Sequence, residues 1–413
     1  MCEIVETYEH STIDSFSEDE LIALLKNSSK LIEDIDIKSK SVSTGYYIGL
    51  QWLADSDKAI YVKPKLDKTS KQTHFLNMLG FCLQHPEVYL HTDELFHIEF
   101  NKKQIPIEQE ADLITPLIIV QFLSAVRNIV KGGLRKGYYR VEANIKGSAK
   151  GKILVSKSIK QNQFKNKTLY THCSFDEFGV NTPENKLLKK ALSFVLRYTK
   201  LTGSNSINFS AALNYITPAF EKVDADIDVH HISVINNNPF FKNYNEAIRL
   251  AKIILKRFGY NLNSIENKSS LTVPPFWIDM SKLFELYVLG KLKEAIEFKA
   301  VIFQAKGQFG YVDFLRTAPG NELVIDAKYK LDYKHGRYNI DDIRQISAYA
   351  RDKGILRKLP AYERGQLSTS VNCLIIYPDD NCEMKIDEKK LFSRPINEFE
   401  RFYKLGIAIP IKN

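Results

Sequence analysis

Paired cysteines are missing from this 413-residue sequence. Its five cysteines, Cys2, Cys82, Cys173, Cys373 and Cys382, never stand in a C-x-x-C arrangement. That spacing offers no zinc ribbon, no iron–sulfur ligation and no disulfide framework. It reads as scattered reduced thiols of a cytoplasmic protein. Long apolar runs are missing too. The most apolar segment, LITPLIIVQFL, spans 11 residues and carries Pro116 and Gln121, too short and too broken to cross a bilayer. No membrane partner is expected. The opening MCEIVETYEHST lacks a basic stretch followed by an apolar one, so no secretory signal is expected either. A nucleotide-cradling loop is also lacking. GSAKGKI, from Gly147, has three residues between its glycines where a P-loop has four, and Ile153 stands at the hydroxyl position. That segment reads as a turn between strands. There is no internal repeat, low-complexity tract or polybasic tail.

What is present describes a globular chain of two or three domains. The apolar fraction is 44% and the charged fraction 26%, ordinary values for a water-soluble protein. A formal charge of +9, from 58 Lys+Arg against 49 Asp+Glu, permits attraction to a polyanion without demonstrating it. The fold class expected is α/β (α+β). Residues 1–165 read as a strand-rich N-terminal module. Residues 166–413 read as a helical connecting region followed by an α/β core over about 276–380.

Within the module, residues 1–40 look polar and helical, with Ser17 and Glu20 placed as a capping box. Short strands follow in GYYIGLQWL, KAIYVKPKL and EVYLHTDELFHIEF, with HFLNMLGFCLQH as a helix between them. Next come a helix ended by Gly132-Gly133, β-patterned segments through GYYRVEANIKG and KGKILVSKSIKQNQF, and a helix beginning at Thr182-Pro183. Another helix stops near Gly259, and a polar, proline-bearing connector follows. From Phe276 the order is helix (281–298), three close strands (VIFQAK, YVDFLRT, ELVIDAKYK), helix (341–351) and a late strand, VNCLIIYP. That order forms an α/β unit around a mixed sheet.

The chemistry concentrates at the end of NELVIDAKYK. Leu323, Val324 and Ile325 make an apolar strand, and then Asp326 and Lys328 arrive two residues apart, on one face of the strand. Thirteen residues upstream, Asp313 lies inside another apolar run, GYVDFL. Adjacent strands would bring the two carboxylates within a few ångströms, where they repel unless a proton or a cation is shared. A hard divalent ion such as Mg²⁺ meets that need, and Lys328 would position water or stabilise developing charge. Gln345 and Tyr349 share a helical face at i, i+4. Glu285 sits among Phe284, Leu286, Val288 and Leu289, an expensive place for an unpaired carboxylate.

Together, Glu285, Asp313, Asp326-Ala327-Lys328 and Gln345-x-x-x-Tyr349 resemble the PD-(D/E)XK nuclease superfamily, in its QxxxY branch. The proline that usually precedes the first Asp is Val312 here; that proline is not a ligand. The blocks GGLRKGYYRVEANIKGSAKGKI, TPENKLLKKAL, MSKLFELYV and VIDAKYK further resemble McrC, the nuclease subunit of McrBC-type modification-dependent restriction systems.

This resemblance implies a Mg²⁺-dependent endodeoxyribonuclease, with Mn²⁺ as a substitute. Glu285, Asp313, Asp326 and the Ala327 carbonyl would hold the metal. Asp313, Asp326, Lys328, Gln345 and Tyr349 would form the catalytic set. It further implies double-stranded DNA as substrate, a McrB-like hexameric AAA+ GTPase as partner for the N-terminal module, and self-association of nuclease domains for a double-strand break. Lys330, Lys334, Arg337 and Arg344 lie close enough in sequence to reach the DNA backbone. Two alternatives stay open: a stand-alone RecB-like or Cas4-like repair nuclease, and a non-catalytic, DNA-binding subunit that activates the motor.

Overall fold

The structure, a computed structural model, describes residues 3–411 except 15, 27–28, 54–57, 70–74, 86–87, 89–90, 93–94, 108–113, 203–208, 228–241, 265–270, 297–299, 364 and 366–370. It is a mixed α/β protein, as expected. Contacts divide the chain into two units, Met1–Glu110 with Ser270–Asn413, and Ala111–Ser269. The boundary expected at 165 falls between the two arms of one hairpin, Gly137–Lys146 and Tyr170–Gly179, which pair along their full length. Local composition marks such a boundary poorly, because strand pairing joins segments distant in sequence.

In the first unit, one five-stranded sheet runs in the order Glu3–Tyr8, Lys58–Lys63, Tyr47–Trp52, Phe276–Asp279, Phe96–Ile98. Its fourth strand comes from the far end of the sequence and leads directly into the helix Met280–Ala295. Gly49 makes that junction possible. Its φ is +145°, and a Cβ there would meet the Phe276 carbonyl oxygen at 2.1 Å, so only glycine allows this approach. Asp279 caps the helix, accepting from Lys282 N at 2.9 Å.

The all-helical expectation for residues 1–40 is corrected. The helix covers only Glu18–Lys26, flanked by strands Glu3–Tyr8, Thr12–Ile13 and Ile32–Asp36. EIVETY carries β-branched residues that pair in parallel with KAIYVK, and this tertiary pairing outweighs weak local preference. The capping box forms: Ser17 N donates to Glu20 Oε2 at 2.8 Å, and Glu20 N donates to Ser17 Oγ at 3.3 Å. Leu21 and Leu24 then bury with Leu31, Val42, Ile60 and Val62.

The second sheet of this unit orders its strands Val301–Lys306, Tyr311–Arg316, Leu323–Ala327, Asn372–Pro378, Phe402–Ile407. The first three pair antiparallel and the last two add in parallel. The final strand extends this core past the expected limit of 380. Val312, Val324, Ile343, Ile346, Ala350 and Ile375 share its hydrophobic core, so the helix Ile340–Tyr349 packs by the apolar stripe its sequence shows.

The second unit contains the long hairpin and the helices Ile114–Gly132, Pro183–Thr202, Ser210–Ile216 and Lys242–Ser264. Gly133, at φ 87°, follows the first of these helices, and the last extends beyond Gly259. The segment expected as strand after Ile153 is instead a helix, Val155–Gln161. The P-loop lookalike is a turn in the sheet, with Gly147 and Gly151 at φ 71° and 69°. Among the described residues, no helix is long and apolar enough to cross a membrane.

Candidate active site

The antiparallel register pairs Phe314 with Ile325 and Leu315 with Val324. One step further along, Asp313 falls opposite Asp326. Regular pairing stops there, and the Asp313 carboxylate takes over: its Oδ2 accepts from Ala327 N at 2.8 Å. On the other side, Phe303 pairs with Phe314 and Ala305 with Val312, which sets Gln304 opposite Asp313. Three side chains thus form one cross-strand row. Gln304 has a left-handed backbone, φ 46°, a conformation that costs a side-chain-bearing residue about 1 kcal/mol. Its amide Nε2 donates to Glu285 Oε1 at 3.4 Å, which brings the helix Met280–Ala295 to the row. Sequence reasoning missed Gln304; an amide facing out of VIFQAK was the only available signal.

The row is electrostatically loaded. Burial, and then the charges of Asp326 and Glu285, push the Asp313 carboxyl well above the ordinary range. Burial raises Glu285, with Asp326 adding to it and the Gln304 amide opposing it. Burial also raises Asp326, opposed by Lys328. Lys328 Nζ lies 2.9 Å from Asp326 Oδ2, yet that buried oxygen accepts no well-directed hydrogen bond. It has charge compensation without a donor aligned to it.

Lys328 also donates to Gln345 Oε1 at 3.0 Å. Burial alone would lower this ammonium, but Asp326, Asp342 and Asp313 outweigh it and raise its pKa. Gln345 therefore reaches the site through Lys328. Tyr349, one turn on, lies elsewhere: its hydroxyl packs over Gly310, 3.0 Å from where a Cβ would sit, at the turn feeding the Asp313 strand. The expected helical pair is split between two tasks.

Asp342 is the second residue sequence reasoning missed. It is buried, accepts from Lys330 Nζ at 3.0 and 2.9 Å, and accepts from Tyr333 Oη at 2.8 Å. Lys328 Nζ is 3.8 Å away. Its spacing of three from Gln345 on one helix was the signal. Of the four cations close enough in sequence to reach DNA, Lys330 is held by Asp342, and Lys334 by Asp379 and Asp380. Arg344 pairs with Asp341 at 3.2 Å on an exposed helix face, and Arg337 is exposed.

The donors of this site are hard oxygen atoms, the chemistry that Mg²⁺ selects. Raised, mutually repelling carboxyls and an unaligned buried oxygen on Asp326 fit such an ion. Among the described residues, no three His, Cys, Asp or Glu side chains are drawn together into a ready cage.

A family model described as "McrBC 5-methylcytosine restriction system component" matches residues 42–355, more than half of the chain. The chain belongs to this family. The McrC likeness carried by the sequence blocks is thereby borne out. Solved structures share a loose resemblance. One is a Thermococcus gammatolerans assembly of McrB AAA+ hexamers with bound McrC, 15% identical, covering 98% of this chain and 94% of that chain, with a TM-score of 0.37. Another is the McrBC complex of the same organism, 16% identical, covering 70% and 87%, with a TM-score of 0.28. The comparison with curated proteins found no match.

Proposed function

We propose that this McrBC-family chain is the nuclease subunit of a modification-dependent restriction system, a cytoplasmic Mg²⁺-dependent endodeoxyribonuclease of the PD-(D/E)XK type. The observation that carries the reading is the junction of Asp313, Asp326 and Lys328, with Glu285 held against the same row by Gln304. In the reading, Glu285, Asp313, Asp326 and the Ala327 carbonyl hold the ion. Bound there, Mg²⁺ or Mn²⁺ supplies a Lewis acid for a phosphoryl oxygen and makes water more acidic. Lys328 keeps its proton in its acidic surroundings. It therefore acts as a fixed positive charge that orients water and stabilises the extra negative charge of the displacement. Gln345 fixes the direction of that ammonium, and Tyr349 steadies the turn leading to Asp313.

The partner in this reading is a McrB-like hexameric AAA+ GTPase engaged by the N-terminal module. The family assignment supports it, as does the absence of a P-loop from the sequence. Each chain offers one such row and cuts one strand, so a double-strand break requires two nuclease domains side by side. The test is cleavage of modified duplex DNA by the purified chain with its motor partner. Cutting that needs both Mg²⁺ and nucleotide turnover, and turnover stimulated by this chain, are expected. Cutting without any partner would favour a stand-alone repair nuclease. No cutting under any condition would sink the catalytic reading.

A further inference from the structure

A second buried polar cluster lies immediately behind the row. Glu9, at the end of the first strand, is fully buried, and its Oε2 accepts from Lys65 N at 2.8 Å. This fixes the start of the 3₁₀ turn Lys65–Thr69. From there the Lys65 ammonium reaches across the unit, donating to the Tyr329 carbonyl. It also sits 4.1 Å from the centre of the Tyr329 ring and 5.7 Å from that of Tyr46. Tyr329 is 2% exposed and follows Lys328 directly. Its ring packs 5.6 Å from that of Phe284, the neighbour of Glu285. The backbone turns at this point, Lys330 N donating to Lys328 O at 2.8 Å.

Glu9 is fully buried and Lys65 half-buried beside it, and an acid so placed is costly unless donors reach it. Their placement supplies the reason for them. Through Lys65 they hold Tyr329, which follows Lys328 in the chain and packs on Phe284, the neighbour of Glu285.

We propose that Lys65, seated by Glu9, is a positioning residue for the nuclease: by holding the Tyr329 carbonyl and ring it sets where Lys328 and Glu285 stand. The N-terminal sheet is thereby part of the catalytic scaffold. This rests on the nuclease reading, and a misplacement of about 1 Å at such a site costs roughly 100-fold in rate.

Lys65→Met is the informative variant. Burial raises Glu9 to about 8 and lowers Lys65 to about 8, so removing the ammonium leaves a neutral acid rather than a stranded charge, and the fold survives. In the full chain with its motor partner, the expected result is a 10- to 100-fold slower single-turnover cleavage, about what a misplacement of this size costs. Thermal midpoint, and DNA affinity measured with Ca²⁺ in place of Mg²⁺, stay at wild-type values. Lys65→Arg keeps a cationic donor for the carbonyl and the ring and is expected to restore part of the rate. Amide exchange over 328–330 speeds up in Lys65→Met and recovers in Lys65→Arg.

Wild-type rate together with wild-type exchange in Lys65→Met overturns the proposal. So does a parallel fall of rate, affinity and melting temperature that Lys65→Arg fails to correct. If the wild-type protein cuts no DNA, the nuclease reading fails on its own. The exchange measurement then decides the anchor by itself: faster exchange at 328–330 supports it and unchanged exchange removes it.

Discussion

Asp326→Ala is expected to abolish Mg²⁺-dependent cleavage of DNA, lowering the rate by at least about 1,000-fold, roughly 4 kcal/mol of lost transition-state stabilisation. Asp326 is buried at 2% exposure, lies opposite Asp313 in the register, and is the acid to which the Lys328 ammonium is paired. Its removal takes one carboxyl from the row and leaves Lys328 to Asp342 and Gln345. Folding is expected to persist, because burial already raises this carboxyl and losing it relieves a desolvation cost. Stimulation of the partner's nucleotide turnover should also be intact. A variant that cuts DNA at the wild-type rate would show that the site lies elsewhere.

Lys328→Met should be nearly as damaging, a fall of about 100- to 1,000-fold in rate at saturating DNA, with DNA affinity changed much less. Methionine keeps the apolar stem and removes the charge. The ammonium is raised by Asp326, Asp342 and Asp313, so in the wild type it stays charged throughout the neutral range. A raised lysine contributes stability below its ordinary pKa, and that stability is lost only as pH climbs through the raised value. The rate loss in Lys328→Met should therefore be the same at mildly acidic and neutral pH. A loss confined to one side of neutrality would point to proton transfer by Lys328 instead of fixed charge.

The sheet that carries Asp313 and Asp326 was legible because its strands are short, apolar and separated by clear turns. Asp326 and Lys328 stood out because charge interrupted a run that otherwise read as buried. What escaped notice depended on pairing at long range. Gln304 matters only because the register sets it opposite Asp313, and its left-handed backbone leaves no mark in composition. Asp342 looked like one more acid in the first turn of a helix; its role appears only when Lys330, Tyr333 and Lys328 converge on it. Tyr349 shows the reverse case. The i, i+4 spacing correctly puts it on the face of Gln345, but one helical turn is enough to carry it to Gly310. The strand at Glu3–Tyr8 was read as helix because its partner, Lys58–Lys63, is far away in the chain. For the same reason nothing local connected Glu9 or Lys65 with Tyr329.

Direct titration of the purified wild-type chain and of Asp313→Asn with Mn²⁺, followed by the ion's own spin resonance signal, tests the shared-cation claim without any need for DNA or a motor. Wild type should bind the ion at this row, more tightly as pH rises, because protons on the raised carboxyls compete with it. Asp313→Asn should lose that binding while keeping its fold. Equal binding by both proteins, or affinity that does not change with pH, would contradict the account.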